Sequence, residues 1–126
     1  FGSGRGTIEL AKFYDVISVD YNEKWQGLTK GATYVHALLV DGWYDMNPVY
    51  EAIKNKDVKT IILDGPPGNM GRGGFLDHIH KLGRHISVIV NDTNRSNEFE
   101  LAKNISKIIG RKCIEISGHE KKFTLI

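Results

Sequence analysis

The sequence predicts an α/β fold: a doubly wound, mostly parallel sheet ending in a C-terminal antiparallel hairpin, with residues 1–126 forming one domain. Three observations predict it. A glycine-rich turn, Gly2-Ser3-Gly4-Arg5-Gly6-Thr7, opens a helical stretch, and the apolar run after it ends at Asp20. A second apolar run, Val58 to Asp64, stops at an acid followed by Gly65-Pro66-Pro67-Gly68. Proline cannot continue a central ladder, so the chain leaves the sheet there with Asp64 at the strand's carboxyl end, the edge where open α/β sheets bind ligands. Finally, helical and strand patterns alternate along the chain.

Each element has a local reason. Thr7 to Phe13 reads as a short helix with Ile8 and Ala11 toward the sheet, Val16 to Asp20 as a strand, and Asn22 to Leu28 as a short helical or irregular link. Thr33 to Val40 forms the next strand, ending near Asp41-Gly42. Asn47 to Lys56 is helical, with Pro48 in its first turn and Val49, Tyr50 and Ile53 as an apolar stripe. Gly74 to Leu82 follows the Asp64 strand as a helix stopped by Gly83.

Ile86 to Val90 is a strand that delivers Asn91-Asp92 to its carboxyl end. The helix after it has Asn97 as expected N-cap with Glu100 three residues on, then Leu101, Ile105, Ile108 and Ile109 at helical spacing before Gly110. Lys112 to Ile116 and Phe123 to Ile126 are joined through Ser117-Gly118-His119-Glu120, too short a link for a parallel crossover, so they pair as an antiparallel hairpin.

The glycine spacing separates two ligand classes. A dinucleotide fingerprint, G-x-G-x-x-G, needs its third glycine where this chain has Thr7; Gly2, Gly4 and Gly6 fit G-x-G-x-G instead. With Val-Ile-Ser-Val-Asp-Tyr at 16–21, Trp43-Tyr44-Asp45, Ile-Leu-Asp-Gly-Pro-Pro-Gly at 62–68 and Asn-Asp-Thr-Asn-Arg at 91–95, the chain resembles the class I S-adenosylmethionine-dependent methyltransferases, in the branch whose fourth strand ends in Asp-Gly-Pro-x-Gly. The resemblance covers essentially the whole chain and implies a Rossmann-like sheet with its last strand inserted antiparallel. It also implies a first strand ahead of Phe1, so the chain reads as N-terminally truncated.

The resemblance implies a cofactor site as well. Gly2, Ser3, Gly4 and Gly6 would lie along the cofactor's methionine part, Asp20 would accept from both ribose hydroxyls, Tyr21 would stack on the adenine edge, and Asp41 would meet the adenine amino group. Asp64 is the eighth residue expected at the cofactor and stands where the family places a general base or a metal ligand, and Asp92 ends the adjacent strand. Together they are the candidate catalytic residues and the candidate ligands of one Mg²⁺, although further acids usual in metal-dependent members are missing here. The competing readings are a strand-end turn acid for Asp20, packing for Tyr21, and a turn cap for Asp92.

Two more residues are candidates for the substrate. Arg72, among the glycines of Asn69 to Gly74, is placed to pair with a carboxylate or phosphate on substrate or cofactor, and Trp43 to line the pocket; a solvated loop arginine and a core tryptophan are the alternatives. His78 and His80, two apart on a helix, do not face one another and make no shared metal site.

Composition narrows the classes further. Seventeen basic against fifteen acidic residues give a net charge of +2, with the bases scattered, so nothing demands a nucleic-acid partner. The one cysteine, Cys113, excludes an internal disulfide and a cysteine zinc cluster. No apolar run reaches the ~20 residues of a membrane span and no signal-peptide pattern appears, so the expectation is a soluble cytoplasmic protein. The expected function is S-adenosylmethionine-dependent methyl transfer to a hydroxyl of a small molecule or carbohydrate. The alternatives are a nicotinamide-dependent oxidoreductase and a non-catalytic nucleotide-binding module.

Overall fold

The computed structural model describes residues 1–83, 85–119 and 121–126. Its hydrogen bonding divides the strands into three small sheets. β1 (Val16–Asp20) pairs in parallel with β2 (Ala32–His36), in a register that sets Asp20 opposite His36. β5 (Thr60–Leu63) pairs in parallel with β6 (Ser87–Asn91), the first two members of a four-stranded sheet ordered β5-β6-β8-β7. β7 (Ile114–Ser117) and β8 (Lys122–Leu125) form the expected antiparallel hairpin, and β8 lies antiparallel against β6. Glu120 of the hairpin link is outside the described residues.

The third sheet is a correction. The strand expected over Thr33 to Val40 ends at His36, and β3 (Leu39–Val40) turns back onto β4 (Trp43–Tyr44) as a separate antiparallel ribbon. The cause is Asp41-Gly42 between them: both have positive φ, 50° and 83°, the backbone that a two-residue hairpin turn demands.

The fold is mixed α/β, with two parallel pairs and a terminal antiparallel hairpin, and the strand ladders leave β1-β2 and β5-β6-β8-β7 as separate sheets. β1 and β5 are not strand partners; Phe1 and Gly2 join them. The Phe1 nitrogen donates to Ile62 O (2.7 Å) and its carbonyl accepts from Asp64 N (2.9 Å), while Gly2 N donates to Val19 O (2.8 Å). Two residues therefore bond as a parallel strand does, to one neighbour on each side.

The helices follow the apolar periodicity with shifted ends. α1 (Arg5–Leu10) starts inside the glycine turn, and α2 (Met46–Ile53) is capped by Asp45, whose side chain accepts from Asn47 N. The helix expected over Gly74 to Leu82 is a 3₁₀ turn, Gly73–Asp77, followed by the short α3 (Ile79–Leu82). α4 (Ser96–Ile109) begins one residue before the expected N-cap Asn97, with Arg95 at the cap, and ends at the left-handed Gly110 as expected. Its Leu101, Ala102 and Ile105 are buried in a core with Leu63, Val88, Val90 and Phe75. No helix among the described residues is long and apolar enough to cross a membrane.

Candidate functional site

The carboxyl ends of β1 and β5 face a cleft of about 770 Å³, lined among others by Gly2, Ser3, Gly4, Gly6, Asp20, Tyr21, Asp64 and Gly65. Seven of the eight residues expected at a cofactor thus meet in one place. The glycine turn is held close to β5: Gly2 has φ 90°, and a Cβ there would lie 2.9 Å from Asp64 C and Gly65 N. Only glycine accepts both that dihedral and that approach.

Asp20 fastens the turn to β1. Its Oδ2 accepts from Ser3 N (2.8 Å) and its Oδ1 from Asn22 N (2.9 Å), leaving lone pairs on both oxygens of a carboxylate that is 6 % exposed. Ser18 adds a second tie, its Oγ lying 2.8 Å from Ser3 Oγ and 3.0 Å from Thr7 Oγ1. Sequence reasoning missed Ser18 and Thr7. The available signal was a small polar residue interrupting the apolar run of β1.

Asp64 is exposed at the cleft, and its Oδ1 is engaged by the Asn91 side-chain amide and faces Arg72 Nη2 at 3.7 Å. Oδ2 is the oxygen left uncommitted among the described residues. Tyr44 lies beneath: its hydroxyl, buried and without a hydrogen-bond partner among the described residues, is directed at Gly65, where a Cβ would collide with it. Burial, helped by the negative charges of Asp20 and Asp64, pushes its pKa well above the ordinary value, so it stays a proton donor.

Four candidates are placed otherwise. Asp41 is exposed at the tip of the β3–β4 turn and does not line the cleft, because the Asp-Gly hairpin carries it away from the end of β2. Trp43 is 3 % exposed and packs on Phe1 (ring centroids 5.2 Å) and Phe75 (6.0 Å); it is core, not cleft wall. Arg72 is no solvated loop residue: its side chain is 3 % exposed and bonded throughout to protein acceptors.

Asp92 also stands outside the cleft lining. It has φ 62° and a carboxylate surrounded by cations: Lys121 at 3.1 Å, Arg72 at 3.3 Å and Arg95 at 3.4 Å. Burial by itself would raise its pKa, but the hydrogen bond and charge of Lys121, with Arg95 and Arg72, outweigh that and hold it below the usual carboxylate value. No group of three or more acidic, histidine or cysteine side chains suited to a metal occurs among the described residues.

Comparison with protein-family models gives no match, and comparisons with curated proteins and with solved structures give none either.

Proposed function

We propose that the cleft binds S-adenosylmethionine and that the protein transfers its methyl group to a hydroxyl of a small molecule or sugar. The observation that carries this reading is the convergence of three features from separate parts of the chain: the close-packed Gly2–Gly65 backbone, the anchored Asp20 carboxylate and the exposed Asp64. Two of them end parallel strands, at the edge where α/β sheets hold ligands.

The residues present suit the cofactor. Glycine at 2, 4 and 6 leaves backbone without side chains for a ligand to lie against, Asp20 keeps lone pairs for two hydroxyls, and Tyr44 holds an unused donor under Gly65. When bound, S-adenosylmethionine supplies an electrophilic methyl group. In this reading Asp64 is the general base: its Oδ2 would take the proton of the acceptor hydroxyl as that oxygen is methylated. The site's other contribution is to align the acceptor and keep water out.

The methyl-transfer reading expects β1 and β5 to belong to one doubly wound sheet. A groove lined by Ile17, Thr60 and Ile62 lies between β1 and β5, bridged at one end where Phe1 bonds to Ile62 and Asp64 and Gly2 bonds to Val19.

Incubation with S-adenosylmethionine tritiated in its methyl group and a panel of polyols and glycosides tests the reaction. Label in an alkali-stable ether product supports it; turnover of a nicotinamide cofactor with no label transferred would refute it.

A further inference from the structure

Arg72 ties together the carboxyl ends of β5 and β6. The parallel pairing of β5 and β6 ends at Leu63 opposite Val90, and beyond it the two chains part. Buried carbonyls around the parting need hydrogen-bond donors. Arg72 supplies them from below: Nε donates to Pro66 O (3.2 Å), Nη1 to Leu63 O (3.3 Å) and Asn91 O (2.9 Å), and Nη2 to Asp64 O (3.2 Å) and Asp92 Oδ2 (3.3 Å). A guanidinium has five N–H donors, and these are five acceptors. None is left over for a substrate.

The position of Nη2 has a second consequence. It lies 3.7 Å from Asp64 Oδ1 and 3.3 Å from Asp92 Oδ2, and so fills the space between the two carboxylates that adjacent strand ends bring together. A divalent ion shared by them would need oxygens at roughly 2.0–2.6 Å. It would have to displace a buried, permanently charged group, with Lys121 and Arg95 adding repulsion at Asp92.

We propose that Arg72 is a positioning residue and the resident cation of the Asp64–Asp92 pair: it fixes the Asp64 turn at the cleft and takes the place that a divalent metal ion would occupy there. This rests on the methyl-transfer reading only in naming what Asp64 is positioned to do.

Mn²⁺ titrated into uniformly ¹³C-labelled full-length protein tests it, with paramagnetic broadening of each side-chain carboxyl resonance as the readout. In the wild type, Asp64 and Asp92 broaden no more than exposed surface carboxylates such as Asp41. In Arg72→Met, which vacates the space, both broaden together at substoichiometric Mn²⁺, while Arg72→Lys, which keeps a cation there, stays close to wild type. Selective broadening of both residues in the wild type overturns the proposal, and so does a folded Arg72→Met protein no more sensitive than wild type. If the variants do not fold, the wild-type spectrum decides alone. S-adenosylhomocysteine binding by the wild type is measured in parallel; its failure would remove the methyl-transfer reading and leave the Arg72 result standing.

Discussion

Gly2 and Gly65 touch through their backbones, so that a Cβ on Gly65 would lie 2.8 Å from Gly2 Cα and one on Gly2 would lie 2.9 Å from Gly65 N. This contact brings the glycine turn against the end of β5 and so places Asp20 and Asp64 on one cleft. Gly65→Ala is expected to destabilise the protein by about 1–3 kcal/mol, the usual cost of overpacking, and Gly2→Ala by at least as much because its φ is also strained. Gly4 has open space around it. Gly4→Ala should therefore leave stability within about 1 kcal/mol while weakening ligand binding, since its new methyl group enters the cleft. Urea unfolding with calorimetric binding separates the two effects; equal losses of stability at positions 2, 4 and 65 would contradict this division.

Tyr44 offers a test in the opposite direction. A buried hydroxyl without a partner costs free energy, so Tyr44→Phe should stabilise the ligand-free protein by up to about 1 kcal/mol. If the hydroxyl serves the bound cofactor, the same change weakens S-adenosylhomocysteine binding. A thermal melt that drops in the ligand-free variant would show that the hydroxyl has a partner in solution.

Asp92 should matter most away from acid. Its pKa is depressed on folding below the unfolded value of 3.8, so its stabilisation is fully present above that value and is lost as pH falls through the folded pKa. Asp92→Asn, which tolerates the positive φ, should lower stability at neutral pH, and the deficit should shrink as pH falls below about 4. Urea midpoints of both proteins across that range provide the check, and a deficit independent of pH would remove Asp92 from the acid response.

What the sequence revealed follows physical range. β1 was legible to the residue because an apolar run between polar neighbours has one way to be a strand, and the β7–β8 hairpin because its short link permits nothing else. The glycine turn, Asp20 and Asp64 were legible because their spacing carries a mechanism. The failures are long-range or rest on a local choice between two good options. Asp41-Gly42 reads as the end of a strand and is a hairpin turn, and Asn97 reads as an N-cap where the cap is Arg95 and the helix starts at Ser96. The burial of Arg72 depends on partners far away in sequence, Asn91 among them, which no local pattern announces, whereas Trp43 takes the core position weighed against its pocket role.

Calorimetric titration of the full-length protein with S-adenosylhomocysteine, run beside NAD and repeated on Gly4→Ala and Asp20→Ala, tests the central claim most directly. The account predicts micromolar binding of S-adenosylhomocysteine, weakened in Gly4→Ala and lost in Asp20→Ala, with no comparable heat from NAD. Preference for NAD, or S-adenosylhomocysteine binding that ignores both substitutions, would contradict it.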